Sequence, residues 1–179
     1  MTATEMAETA GVPLRVAESV VAARSFGAEL REEKPHRIRT VADAIAALPV
    51  GLELVETEVV LAIALSVTST LIETVLLAKG GGASAALEMR DVFRPLVRLG
   101  ASCFILAHNH PSGQASPSDE DVAMTNRVVL AGRILHLPLL DHLVIGLSGT
   151  VSFLETGLLP TAPELDKLEE MAASEAGAP

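Results

Sequence analysis

Apolar positions fall into two rhythms along the chain, and their alternation sets out the elements. From residue 5 to about 33 the spacing is helical, with Met6, Val12, Val16, Val20 and Val21 recurring among many alanines. Gly11-Val12-Pro13 interrupts it, and Pro13 suits the first turn of a second helix. The pattern thus predicts a short helix to about Ala10 and a longer one over 13–30. Residues 31–40 are charged, contain Pro35 and a solvated His36, and read as a linker. Thr40 suits the cap of a short helix over 41–48, which Pro49 and Gly51 end.

The rhythm then changes. Between 53 and 65, Val55, Val59, Val60, Leu61, Ile63 and Leu65 make a nearly continuous apolar strand. A polar turn over 66–70 and a second strand over 71–79 complete an antiparallel hairpin. After the loop Gly80-Gly81-Gly82, a helix begins at Ser84 or just beyond and reaches Leu99. It carries Met89, Val92, Phe93, Leu96 and Val97 on one face, with Gly100 as its C-terminal cap. A buried strand over 102–107 follows. Ser118 opens the next helix, with Val122, Val129, Leu130 and Ile134 facing inward, and Leu137-Pro138 breaks it beside a structural His136. A strand over 139–146, the Ser148-Gly149 turn and a short strand over 150–153 come next. An acidic helix over 162–172 leads into a small-residue end expected to be disordered. This order predicts an α/β fold, a mixed central sheet flanked by helices. It divides the chain into a helical segment (1–34), a linker with a short helix (35–50), a main domain (51–160) and an acidic tail (161–179).

Composition sharpens this outline. Hydrophobic residues make up 49% of 179 residues but aromatics only 2%, so the core must be built from Leu, Val, Ile and Ala. No apolar run approaches the roughly 18 residues of a membrane span, and the polar, acidic start does not read as a signal peptide. The lone Cys103, inside a predicted strand, excludes an internal disulfide and reads as a small core residue in a reducing cytoplasm. The net charge of −10 falls wholly on residues 41–179, which hold seven Lys/Arg against seventeen Asp/Glu. Without a basic footprint to displace phosphate counterions, nucleic acid is disfavoured as the main partner.

The candidate chemistry follows the strand over 102–107, in His108-Asn109-His110-Pro111-Ser112-Gly113 and then Pro117-Ser118-Asp119-Glu120-Asp121. Two imidazoles one residue apart at a strand end point the same way, and a carboxylate at the mouth of the next helix can fold back to meet them. His108, His110 and Asp121 make a plausible three-ligand set for zinc with a fourth position open. Zinc would acidify a water, a carboxylate outside the motif would move protons, and Ser118 could steady an oxyanion. The same acidic stretch also suits a plain helix start, with Ser118 as cap and carboxylates favoured by the helix dipole.

The spacing His108-x-His110, then Asp121 preceded by Ser118, resembles the JAMM (MPN+) metalloprotease motif. The longer form through Gly113, with Leu140-Asp141-His142, Arg90-Asp91-Val92-Phe93 and Ser152-Phe153-Leu154-Glu155-x-Gly157, is similar to the RadC branch of that family. The resemblance covers roughly residues 56–159. It implies a three-layer JAMM fold similar to cytidine deaminase over 51–160 and zinc-dependent hydrolysis of a peptide or isopeptide bond, with a ubiquitin-like conjugate among the substrate classes. It also implies a general-base glutamate at the start of the first core strand. Matching Ile63-Ala64-Leu65 to the family's strand puts that role on Glu58, with Glu53 and Glu56 as competitors. Ser66, Met89 and the Thr68-Ser69-Thr70 turn depart from the family pattern without touching a ligand.

Residues 11–17 resemble the second half of a helix-hairpin-helix module, but Pro13 stands where the DNA-binding form has a second glycine. RadC proteins have carried a DNA-repair label, which the acidic charge does not support; nor is His108-Asn109-His110 an HNH nuclease site, whose residues are spread over a ββα unit. Asp141 and His142, adjacent in a strand, point to opposite faces, so they cannot both enter one site; one could hold a ligand imidazole from behind, and a purely structural role fits equally well. The competing reading is a zinc-binding scaffold, or a DNA-repair-associated binding protein, without turnover. A homo-oligomer is compatible with either.

Overall fold

The computed structural model describes Thr4, Leu14 and residues 36–80 and 87–176. The helices expected over 5–10 and 13–30, the helix-hairpin-helix resemblance, the Gly81-Gly82 loop, the start at Ser84 and the extreme C-terminus lie outside the described residues. Two compact units divide the chain, Met1–His36 and Arg37–Pro179. The second unit carries the sheet.

Its five strands are β1 (Val59–Leu65), β2 (Leu71–Lys79), β3 (Cys103–Asn109), β4 (Leu139–Gly146) and β5 (Gly149–Ser152), in the order β2-β1-β3-β4-β5. Only β3 and β4 run parallel; the other neighbours are antiparallel, so the sheet is mixed. Among the described residues the helices of this unit are α1 (Val41–Ala46), α2 (Met89–Arg98), α3 (Asp119–Ile134), α4 (Phe153–Thr156) and α5 (Ala162–Ala176). Among the described residues no helix is long and apolar enough to cross a membrane.

β1 is buried along its whole length, which explains why its apolar run is continuous rather than alternating. Even positions Val60, Ala62 and Ala64, with Phe104 and Leu106, pack on one face under Val92, Phe93 and Leu96 of α2 and Met124 and Val128 of α3. An edge-to-face contact between Phe93 and Phe104, with centroids 5.6 Å apart, joins α2 to β3. Odd positions Leu61, Ile63 and Leu65, with Ile105, Leu143 and Ile145, pack on the other face with Ile38, Ala44 and Leu48. Helices on both faces of one sheet make a three-layer α/β/α domain. Thr40 caps α1 in a reciprocal box with Asp43. Gly100, at φ +65, follows α2 and lets Ala101 N–H reach the Leu96 carbonyl.

The structure corrects several expectations. β1 begins at Val59, not near 53, because residues 52–54 form a 3-10 turn after Gly51 and the Val59 N–H is taken by the Asn109 side chain. β3 runs on to Asn109, so His108 lies within the strand. α2 starts at Met89, and Val97 on it is exposed. α3 buries Asp121, Met124, Thr125, Val128 and Gly132, while Ile134 is 74% exposed and Val122, Val129 and Leu130 are only half-buried. Its phase is set by Asp121 turning inward, which carries positions three, four, seven and eleven residues later with it. Phe153 opens α4 instead of ending β5.

Candidate metal centre

Strand register and one helix cap build the site. Val60 of β1 stands opposite His108 of β3, on the sheet face covered by α2 and α3. His108 is fully buried there. His110 continues past the strand end, with its N–H on the Ile145 carbonyl at 2.8 Å, and is 20% exposed. Asp121 is the third residue of α3. Ser118 caps that helix, accepting the Asp121 N–H at 3.1 Å, while the Asp121 carboxylate folds back onto the Ser118 N–H at 2.8 Å. The cap therefore aims the carboxylate at the histidines, and Ser118 Oγ donates to the same oxygen, Oδ2, at 2.8 Å.

His108 Nε2 lies 2.9 Å from His110 Nε2 and 3.1 Å from Asp121 Oδ1, and His110 Nε2 lies 3.2 Å from Asp121 Oδ2. The Nδ1 of each ring is engaged away from this cluster. His110 Nδ1 donates to the Gln114 carbonyl at 2.9 Å, which leaves Nε2 of the neutral ring as a bare acceptor. His108 Nδ1 meets His142 Nε2 at 2.8 Å. Burial alone would push the Asp121 carboxyl up, but hydrogen bonding and charge from His108 in its protonated form and two bonds from Ser118 hold it well below the usual carboxylate range. A carboxylate facing two imidazole nitrogens suits a cation, and among the described residues these three side chains form the group able to hold a metal ion.

Glu58 immediately precedes β1. It is half-buried, and its carbonyl accepts from Gly80 N–H at 2.9 Å. It stands two residues before Val60, the residue of β1 paired with His108. Glu53 lies in the 3-10 turn, and Glu56 is exposed. His142 is fully buried beside His108 and stacks on Phe153 with centroids 4.7 Å apart. Burial, then the charge that His108 carries when protonated, drive its pKa well below the usual 6.5. Asp141 points to the opposite face, where it accepts from Ser152 Oγ at 2.6 Å, His142 N–H at 2.7 Å and Leu154 N–H at 2.9 Å. Asp141 thus ties β4 to β5 and α4, and the expected division of the pair across the sheet holds.

Three residues went unremarked as site residues in the sequence. Asn109, fully buried on the face away from the histidines, accepts the Val59 N–H at 2.8 Å and donates to the carbonyls of Val55 (2.8 Å) and Thr57 (3.2 Å). It clamps the backbone on either side of Glu58. Thr125 Oγ1 lies 2.6 Å from the Asp121 carbonyl and 2.7 Å from His142 Nδ1. Gly146 has no room for a side chain, since a Cβ would stand 2.6 Å from the Gly113 oxygen and 2.9 Å from Ala115 N. That close approach seats the loop supplying the Gln114 carbonyl. The signal for Asn109 was its residue type, a poor strand former at a buried strand end.

A mixed sheet between helix layers, with two histidines on a strand end and an aspartate folded back from the following helix cap, defines a domain of the JAB class with a group of side chains able to hold a metal ion. The sequence profile of the RadC-like JAB domain matches residues 38–158, and the chain belongs to the RadC family. It is similar to a UPF0758 protein of Acaryochloris marina, 34% identical over 157 residues covering 86% of this chain and 65% of the relative. A UPF0758 protein of Symbiobacterium thermophilum is 37% identical over 136 residues, covering 76% of this chain and 57% of its own length. One of Chloroflexus aggregans is 32% identical over 157 residues, with 86% and 69% covered. The chain thus spans about three-fifths to two-thirds of these curated relatives.

Proposed function

We propose that this domain is a zinc metallopeptidase that hydrolyses a peptide or isopeptide bond in a protein substrate, such as a ubiquitin-like conjugate. The observation that carries the reading is the convergence of His108 Nε2, His110 Nε2 and an ionised Asp121 at 2.9–3.2 Å. Atoms held about 2.0–2.1 Å from a common tetrahedral ion stand about 3.3 Å apart, so the spacing suits zinc, and two nitrogens with one carboxylate suit its catalytic sites. When bound, zinc supplies a water acidified to near neutral pKa and polarisation of the scissile carbonyl. Glu58 takes the proton from the attacking water and returns it to the leaving nitrogen. Ser118, whose hydroxyl rests on Asp121 Oδ2, turns that donor to the developing oxyanion. Negative charge over residues 41–179 favours substrates other than nucleic acid.

Elemental analysis of the purified chain tests the metal, with one zinc per chain expected in the wild type and none in His108→Ala. Glu58→Gln should keep zinc and lose cleavage of peptide and ubiquitin-like fusion substrates. A wild-type chain that takes up no zinc removes the reading. Zinc uptake without cleavage, with cellular function intact in Glu58→Gln, replaces the peptidase with a scaffold.

A further inference from the structure

We propose that Thr125 and His142 form a lock that fixes which nitrogen of His108 carries its hydrogen, keeping Nε2 bare for a metal ion; the inference rests on the metal-centre reading above. Thr125, His142 and His108 are all fully buried and lie in one chain of contacts. Thr125 Oγ1 is 2.6 Å from the Asp121 carbonyl oxygen and 2.7 Å from His142 Nδ1, and His142 Nε2 is 2.8 Å from His108 Nδ1. A backbone carbonyl has no hydrogen to give, so the Thr125 hydroxyl donates to Asp121. With its single hydrogen committed there, Oγ1 faces His142 as an acceptor, and His142 Nδ1 must be the donor. A neutral ring has one N–H, which leaves His142 Nε2 as an acceptor. His108 Nδ1 is therefore the donor in the next link, and its Nε2, which faces Asp121 Oδ1 at 3.1 Å, carries only a lone pair.

Metal-ligating histidines ordinarily donate their second N–H to a carboxylate, a carbonyl or water, groups whose accepting role is not in question. His110 follows that rule through Gln114. His108 instead rests on a second imidazole, which could either give or take a hydrogen. Thr125 resolves the choice, and the carbonyl that commits its hydroxyl belongs to Asp121, another ligand. One hydroxyl thus braces two of the three ligands. Without it, His142 is free to carry its hydrogen on Nε2. That hydrogen would point at His108 Nδ1 and drive the His108 hydrogen to Nε2, the side where the metal binds. Thr125 and His142 are positioning residues, acting through His108.

The test uses the full chain labelled with 15N-histidine, in long-range 1H–15N spectra recorded zinc-loaded and metal-free above the imidazole titration range. In the metal-free chain the wild type and Thr125→Ser should show His142 with its hydrogen on Nδ1, and Thr125→Val should move it to Nε2. Competition for Zn2+ against a chromophoric chelator should show affinity about 10–100-fold weaker in Thr125→Val and restored in Thr125→Ser. His142 protonated at Nε2 in the wild type overturns the lock, and that spectrum decides even where Thr125→Val does not fold. Unchanged Zn2+ affinity in a folded Thr125→Val also overturns it. A wild-type chain that binds no Zn2+ overturns the metal reading itself, and the role of the lock with it.

Discussion

Replacing Asn109 with alanine removes the clamp on the segment that carries Glu58. Three hydrogen bonds go, and they are not equivalent. The Val59 N–H, bonded at 2.8 Å at the buried start of β1, is left without an acceptor. An orphaned buried donor costs about 1–3 kcal/mol. The Val55 carbonyl, at 2.8 Å and half-buried, loses a bond worth about 0.5–1.5 kcal/mol. The Thr57 carbonyl, at 3.2 Å on an exposed residue, finds water instead and contributes little. The sum is about 1.5–4.5 kcal/mol. With a urea slope of about 2 kcal/mol per molar, the unfolding midpoint of the metal-free chain should fall by about 1–2 M with the slope unchanged. Asn109→Asp should also destabilise, since a carboxylate can accept from Val59 but cannot donate to two carbonyls. Zinc stoichiometry should hold in a folded Asn109→Ala chain while peptide hydrolysis falls, because the histidines sit on the other face. A midpoint change worth under about 1 kcal/mol, or turnover equal to wild type, would refute the clamp.

His136 holds a left-handed backbone, φ +53, just after α3, where its N–H and that of Leu137 bond back to Arg133 and Gly132. His136→Gly should therefore raise stability by about 0.5–1 kcal/mol by relieving that conformation, and a loss in calorimetry would contradict it. Gly146→Ala should push the 113–115 backbone away, take the Gln114 carbonyl from His110 and weaken Zn2+ binding by about tenfold or more; unchanged chelator competition would count against this. Burial raises the Cys103 thiol pKa, so iodoacetamide at pH 8 should alkylate the folded chain more slowly than the urea-unfolded one, and equal rates would refute it. Burial also holds the folded His142 pKa well below 6.5, so below that pH the unfolded chain binds the proton first. Stability of the metal-free protein should then be full above about pH 6.5 and fall by up to about 1.4 kcal/mol per unit below it; a flat urea midpoint between pH 7 and 5.5 would exclude this.

The sheet was legible in the sequence because β1 and most of β3 are apolar without interruption, and the candidate metal site because its three side chains lie within fourteen consecutive residues, 108–121. What the chain hid depends on register. The phase of α3 could not be read from its scattered valines and leucines, because its inward face begins with a charged residue, Asp121, and includes a threonine and a glycine. The start of β1 could not be read either, since a side chain fifty residues away takes the first ladder position. Once β1 and β3 are paired, the middle residue of the His108-Asn109-His110 tripeptide gains a role that composition alone could not give it. Period two sends both imidazoles to the α3 side and the amide to the other. An alanine there would satisfy the fold's hydrophobic demand but leave the Glu58 segment unheld. A single strand end thus places the two histidines and, through the opposite face, holds the backbone of the proposed base.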